Sequence, residues 1–96
     1  MRNRDELYVV DIANRIPGVI ARLGTPEEDC GYHKADVVMM YNNSNYYVQV
    51  SYTPKSKREK KKLLKRGTYP VHTHKFTDMP LGDRVVQQNL ESILPL

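Results

Sequence analysis

Two runs of strand-forming residues on either side of an asparagine-rich turn constrain the fold of this chain most strongly. Residues 35–41 contain a continuous apolar run, and residues 45–52 alternate between two faces. One face of the second run carries Tyr46, Val48, Val50 and Tyr52, and the other carries Tyr47, Gln49 and Ser51. Residues 42–45, Asn-Asn-Ser-Asn, have turn chemistry. The pattern predicts an antiparallel hairpin in the middle of a mixed sheet, flanked by the first helix and a basic helix.

The rest of the chain supplies helices and two further strands. Helical spacing of apolar residues predicts a helix over 5–16, although a strand over 7–12 is the alternative because two valines stand together there. The remaining predictions are a strand over 19–23, a loop over 24–34, a basic helix between Ser56 and Gly67, a strand over 69–76, a linker over 77–81 and a helix over 82–94.

This element order predicts one α/β domain over residues 1–96. It is an αβββαβ core with a mixed four-stranded sheet flanked by helices, plus a C-terminal helix. The basic helix joins the third and fourth strands. A helical crossover of this kind usually connects parallel strands, so we expect these two strands to be parallel.

Positive charge is concentrated in the basic helix and the residues just before it. Between Pro54 and Arg66, eight cations face the single acid Glu59, which gives +7 and leaves −3 for the rest of the chain. The cations are Lys55, Lys57, Arg58, Lys60, Lys61, Lys62, Lys65 and Arg66. This density predicts binding to DNA or RNA, and a solvated helix face is the alternative interpretation.

The element order and three side chains resemble the PD-(D/E)XK, or restriction-endonuclease-like, superfamily. Asp36 opens the second strand, Gln49-Val50-Ser51 lies on the third, and Glu6 lies on the first helix. The resemblance implies a nuclease that cuts phosphodiester bonds with Mg²⁺ or Mn²⁺. Its catalytic residues would be Glu6, Asp36, Gln49 and Ser51, and its metal ligands would be Asp36, Gln49 and Glu6.

Three departures from the family pattern imply a divergent or degenerate site. No proline precedes Asp36, Gln49 replaces the usual acid, and Ser51 replaces the usual lysine. A glutamine carbonyl can still bind a hard cation, although it adds no charge. Lys55 or Lys57, just after the strand, could supply the missing ammonium group.

The sequence leaves other metal ligands and other functions open. His72 and His74 would share one face of a strand and could bind zinc with His33 or Cys30. A non-catalytic nucleic-acid-binding module is the alternative to a nuclease. The third hypothesis is an interaction protein whose lysines serve only to keep its surface solvated. We expect a cytoplasmic protein without membrane partners, because the N-terminus lacks an apolar signal and Cys30 is the single cysteine. A homodimer or a larger partner protein would help to select the target.

Overall fold

A four-stranded mixed sheet forms the centre of the computed structural model, which describes residues 4–96. The strands are β1 (Ile20–Leu23), β2 (Val37–Tyr41), β3 (Ser44–Ser51) and β4 (Thr68–His72), in the spatial order β1-β2-β3-β4. The first three strands are antiparallel neighbours, and β3 and β4 are parallel. The central hairpin and the parallel crossover are therefore confirmed.

Four helices surround the sheet: α1 (Arg4–Ala13), α2 (Pro26–Cys30), α3 (Lys57–Lys65) and α4 (Asp83–Glu91). The first element is helical, so the alternative strand over 7–12 is wrong. It ends three residues earlier than predicted, because Arg15 and Ile16 donate to carbonyls only three residues back and so tighten the last turn. No helix within residues 4–96 is long and apolar enough to cross a membrane.

The short helix α2 corrects the prediction of a loop over 24–34. Thr25 and Glu28 form a complete capping box: the Thr25 side chain accepts the Glu28 N–H, and the Glu28 carboxylate accepts the Thr25 N–H. Pro26 stands in the first turn, where its missing N–H costs nothing, and three acids there favour the helix dipole.

The last strand is also shorter than predicted. It ends at His72 instead of continuing to residue 76, although the N–H groups of Thr73 and His74 still donate to the carbonyls of Ser51 and Tyr52. The chain then turns back through Asp78, whose φ is +66°, and His74 forms an isolated bridge with Pro80. This reversal leads directly to α4.

The main core lies between one face of the sheet and helices α1 and α4. Its fully buried members include Val9, Ile12, Val37, Met39, Val48, Val86 and Leu90. Strand residues that alternate with these core residues point to the other face of the sheet, where α3 lies. Gln49 lies on that face, in one groove with Leu63 of α3. The sheet thus separates an apolar core on one side from the basic helix on the other.

Candidate functional site

Asp36 is buried at the point where β2 begins, with 9% of its surface exposed. Its backbone N–H donates to the Val48 carbonyl at 2.9 Å, and its carboxylate Oδ2 accepts the Val50 N–H at 2.8 Å. Extending the β2–β3 register by one step sets Asp36 opposite Gln49. The side chain therefore takes the place of a ladder carbonyl and is fixed against β3.

Two other acids lie close to the Asp36 carboxyl group. Asp29 of α2 hydrogen-bonds to it, and Glu6 of α1 acts on it through its charge. The Ala35 N–H donates to the Glu28 carbonyl at 2.9 Å, which holds α2 beside the start of β2. Helices α1 and α2 thus bring carboxyl groups to Asp36 from two directions.

This environment raises the pKa of Asp36 to about 7. Burial is the largest cause, and the Asp29 hydrogen bond and the Glu6 charge act in the same direction, whereas the Val50 N–H opposes them. Removing a proton near neutral pH would put an additional negative charge beside Asp29 and Glu6. A cation at this position would offset that repulsion.

The sequence missed Asp29, because residues 24–34 were interpreted as a loop. The Thr-Pro-Glu-Glu sequence that opens α2 at Thr25 was the signal that could have identified a helix. Nothing in the local sequence indicates which acid of that helix meets Asp36, since the meeting depends on how α2 packs against β2.

Gln49 and Ser51 face α3 and line two separate grooves. The Gln49 amide Nε2 donates to the Lys34 carbonyl at 3.3 Å, in a groove of about 260 Å³. The Ser51 hydroxyl donates to the Thr53 carbonyl at 2.8 Å, and Ser51 lines a second groove of about 300 Å³. Of the four predicted catalytic residues, Glu6 and Asp36 therefore act on each other, while Gln49 and Ser51 make hydrogen bonds elsewhere.

The acids alone do not complete a metal site. Among residues 4–96, no three His, Cys, Asp or Glu side chains are arranged to hold one metal ion. A cation at Asp36 would consequently need a ligand of another type, such as the Gln49 carbonyl, a backbone carbonyl or water. Convergence of Glu6, Asp36 and Gln49 on one ion stays a prediction.

Helix α3 presents most of its cations to solvent. Ser56 caps it by accepting the Glu59 N–H at 3.3 Å, and Gly67, with φ of +75°, follows its last turn. Leu63 is its single buried side chain, and Leu64 is half exposed. The exposed cations are Lys57, Arg58, Lys61, Lys62 and Lys65, while Lys55, Lys60 and Arg66 are half-buried at its sides.

The three histidines lie at different places in the fold. The His33 ring stacks on Tyr47 with centroids 3.9 Å apart, and its Nδ1 lies 2.7 Å from the Arg66 carbonyl oxygen. The His74 ring stacks on Tyr52 at 4.0 Å. His72 lines the groove that contains Ser51, whereas His74 lines a different groove beside α1. A shared metal face for His72 and His74 is therefore wrong, because β4 ends between them.

Comparison of the chain with models of known protein families gives no match, and no curated protein or solved structure matches it significantly.

Proposed function

We propose that this protein binds DNA or RNA through α3 and hydrolyses its phosphodiester bonds with Mg²⁺ or Mn²⁺ held at Asp36. One observation carries the proposal. A buried aspartate opens the second strand of an αβββαβ core and meets carboxyl groups from α1 and α2. That arrangement is similar to the PD-(D/E)XK pattern in both topology and position.

The acids and the cations have complementary tasks in this reaction. Asp36 and Glu6 would hold the divalent ion, which would supply positive charge to polarise the phosphate and to lower the pKa of an attacking water. Lysines and arginines of α3 would hold the strand by its phosphates, without regard to sequence. Asp29, which meets Asp36 directly, would act as a positioning residue for that carboxylate.

Lys55 is a better substitute than Lys57 for the lysine of the PD-(D/E)XK pattern. It lines a groove together with Ser51, the position at which the family places its lysine. Its side chain is 22% exposed, and its Nζ lies 3.7 Å from the Glu59 carboxylate. Lys57, the other candidate, is exposed in the first turn of α3. We therefore assign the role of stabilising developing charge to Lys55.

Titration with Mn²⁺, followed by NMR, tests the metal site without requiring activity. Paramagnetic broadening should reach the amides of Asp36 and Val50 at the lowest Mn²⁺ concentrations, and Asp36→Asn should remove it. Asp78→Asn, at an exposed acid in the turn after β4, is the matched control and should leave the broadening unchanged. Broadening that is uniform over all exposed acids, or that survives in Asp36→Asn, would remove the metal from the proposal.

A non-catalytic nucleic-acid-binding module is the second candidate, and specific hydrogen bonds favour it. Asp36 accepts the Val50 N–H, the Gln49 amide donates to Lys34, and the Ser51 hydroxyl donates to Thr53. Each side chain thus has a structural task that needs no metal. In this case α3 would bind nucleic acid as in the first proposal, divalent cations would act on binding only as salt does, and the nucleic acid would stay uncut.

The proposed location is the cytoplasm, where the exposed Cys30 thiol would stay reduced. We also include in the proposal a homodimer or a larger partner protein that helps to select the target.

A further inference from the structure

A groove of about 300 Å³ lies between α3, the outer edge of β4 and the end of α4. Its polar lining consists of Ser51, Lys55, Lys60, Tyr69, His72, Asn89 and Ser92. Within residues 4–96, no carboxylate group lines this groove. The groove is therefore rich in hydrogen-bond donors and lacks an anionic acceptor.

Positive charge is held in this groove without full compensation. Lys60 is half-buried, although its neighbours Lys61 and Lys62 are exposed. Within residues 4–96, the Lys60 ammonium forms no ion pair. Lys55 pairs with Glu59 only at 3.7 Å. An anion entering the groove would meet two lysines whose side chains are partly buried along its walls.

His72 senses this charge. The pKa of its imidazole is lowered, first by burial and then by the positive charge of Lys60. The other titratable groups of the lining are Lys55, before α3, and Tyr69, on β4, and α4 contributes only Asn89, Ser92 and Ile93. A protonated His72 would thus be repelled by Lys60 across a space in which an anion would attract both cations.

The groove does not suit an additional strand. β4 is an edge strand of the sheet, and Pro70 at its centre has no N–H to offer to a neighbour. The apolar sides of the groove come from Pro70, Val71 and Ile93. Its volume is at the lower end for small-molecule sites, which suits a compact group with a small apolar attachment.

We propose that this groove binds a phosphate monoester, either the terminal phosphate of a nucleic-acid strand or that of a free nucleotide. A phosphate monoester carries nearly two negative charges at neutral pH, which match the ammonium groups of Lys55 and Lys60. A phosphodiester within a strand carries one and matches them less well. The His72 imidazole adds a further N–H donor, and Tyr69 and Pro70 offer a surface for the sugar. Binding of the terminal phosphate of a nucleic acid rests on the proposed function, whereas binding of a free nucleotide does not.

The histidine ring signals provide a direct test with inorganic phosphate and adenosine monophosphate as probes. Titration of the full chain near neutral pH should move the ring resonances of His72 and raise its pKa. His33 and His74 stack on tyrosines outside this groove and serve as internal controls that should not move. His72→Gln assigns the signal, and Lys60→Gln should weaken binding of both probes about tenfold, which corresponds to about 1.4 kcal/mol.

Short oligonucleotides with a 5′-phosphate, a 3′-phosphate or no terminal phosphate distinguish the two sources. If the strand end is bound, one phosphorylated form should bind about tenfold more tightly than the unphosphorylated one, the size of one charge-assisted hydrogen bond. Lys60→Gln should abolish that ratio. Lys61→Gln removes an exposed charge from the same helix. It should weaken the binding of all three oligonucleotides equally and so preserve the ratio.

The outcomes separate this inference from the proposed function. Movement of His72 with adenosine monophosphate but equal binding of all oligonucleotides supports a nucleotide site. Movement with the probes and no oligonucleotide binding also supports the groove, but it ends the proposed function. Oligonucleotide binding that ignores terminal phosphates, together with a His72 signal that no probe moves, overturns the inference and leaves the proposed function intact.

Discussion

The backbone N–H of Val50 donates a hydrogen bond to the Asp36 carboxylate at 2.8 Å, where the β2–β3 ladder ends. This bond ties the most deeply buried acid of the candidate site to the centre of the sheet. Asp29 of α2 hydrogen-bonds to the same carboxyl group, and Glu6 of α1 acts on it through its charge. Asp36 therefore has both a structural and a proposed chemical task, and its substitutions must distinguish the two.

Asp36→Asn should stabilise the fold above neutral pH. Asparagine keeps an acceptor for the Val50 N–H but carries no charge. In the folded protein the pKa of Asp36 is about 7, compared with about 3.9 for an unfolded aspartate. The folded state thus binds the proton more tightly, so this residue's contribution to stability is complete below about pH 4 and is lost as the pH rises to about 7.

Urea denaturation at several pH values measures this effect. At pH 8, Asp36→Asn should have a larger free energy of unfolding than the wild type by at least about 1.4 kcal/mol, the value of one pKa unit. Below pH 4 the difference should be small. Asp78→Asn, at an exposed position, should follow the wild type throughout. A variant that is less stable than the wild type at pH 8 would show that the carboxylate is stabilised in a way that the structure does not contain.

Charge reversal on the outer surface of α3 should remove nucleic-acid binding. Lys61 and Lys62 are exposed, so Lys61→Glu with Lys62→Glu should leave the fold intact. For the wild type, about 4–6 phosphate contacts would give a slope of about −4 to −5 for log K against log salt on duplex DNA. Fluorescence anisotropy at several salt concentrations measures both quantities.

The matched control for this pair reverses two exposed cations away from α3. Lys75→Glu with Arg84→Glu changes the net charge by the same amount. It should weaken binding far less if α3 is the interface. Equal losses of affinity in the two double variants would mean that net charge alone drives binding. In that case α3 would not be the interface.

Leu63 should account for most of the stability that α3 draws from packing. It is 7% exposed, whereas Leu64, the next residue, is 51% exposed. Leu63→Ala should lower the free energy of unfolding by about 2–3 kcal/mol, while Leu64→Ala should change it by less than about 0.5 kcal/mol. Chemical denaturation of the two variants decides this, and equal effects would show that α3 does not pack as described.

The sequence predicted the parts of the fold that depend on local patterns. Alternation over β3 and the asparagine turn determined the hairpin, and the helical crossover determined the parallel pair. Ser56 and Gly67 marked the two ends of α3. These features depend on neighbouring residues, so they can be predicted from one sequence.

The parts that were missed depend on packing between distant segments. The meeting of Asp29 with Asp36 requires α2 to lie against β2. The ends of β4 and α1 are set by turns that no periodicity predicts. The groove beside His72 is formed by three separate elements, including the end of α4. For the site itself, the sequence identified Asp36 and Glu6 as neighbours but not the acid that hydrogen-bonds to Asp36.

Cleavage of DNA and RNA with Mg²⁺ or Mn²⁺ tests the central claim most directly. The wild type should cut one of these substrates only with a divalent cation, and Asp36→Asn should lose cleavage while binding through α3 persists. Gln49→Glu with Ser51→Lys, which restores the residue types usual in the resembling family, should raise the rate. If the wild type and this double variant are both inert with every divalent cation, the nuclease proposal is contradicted and the binding module replaces it.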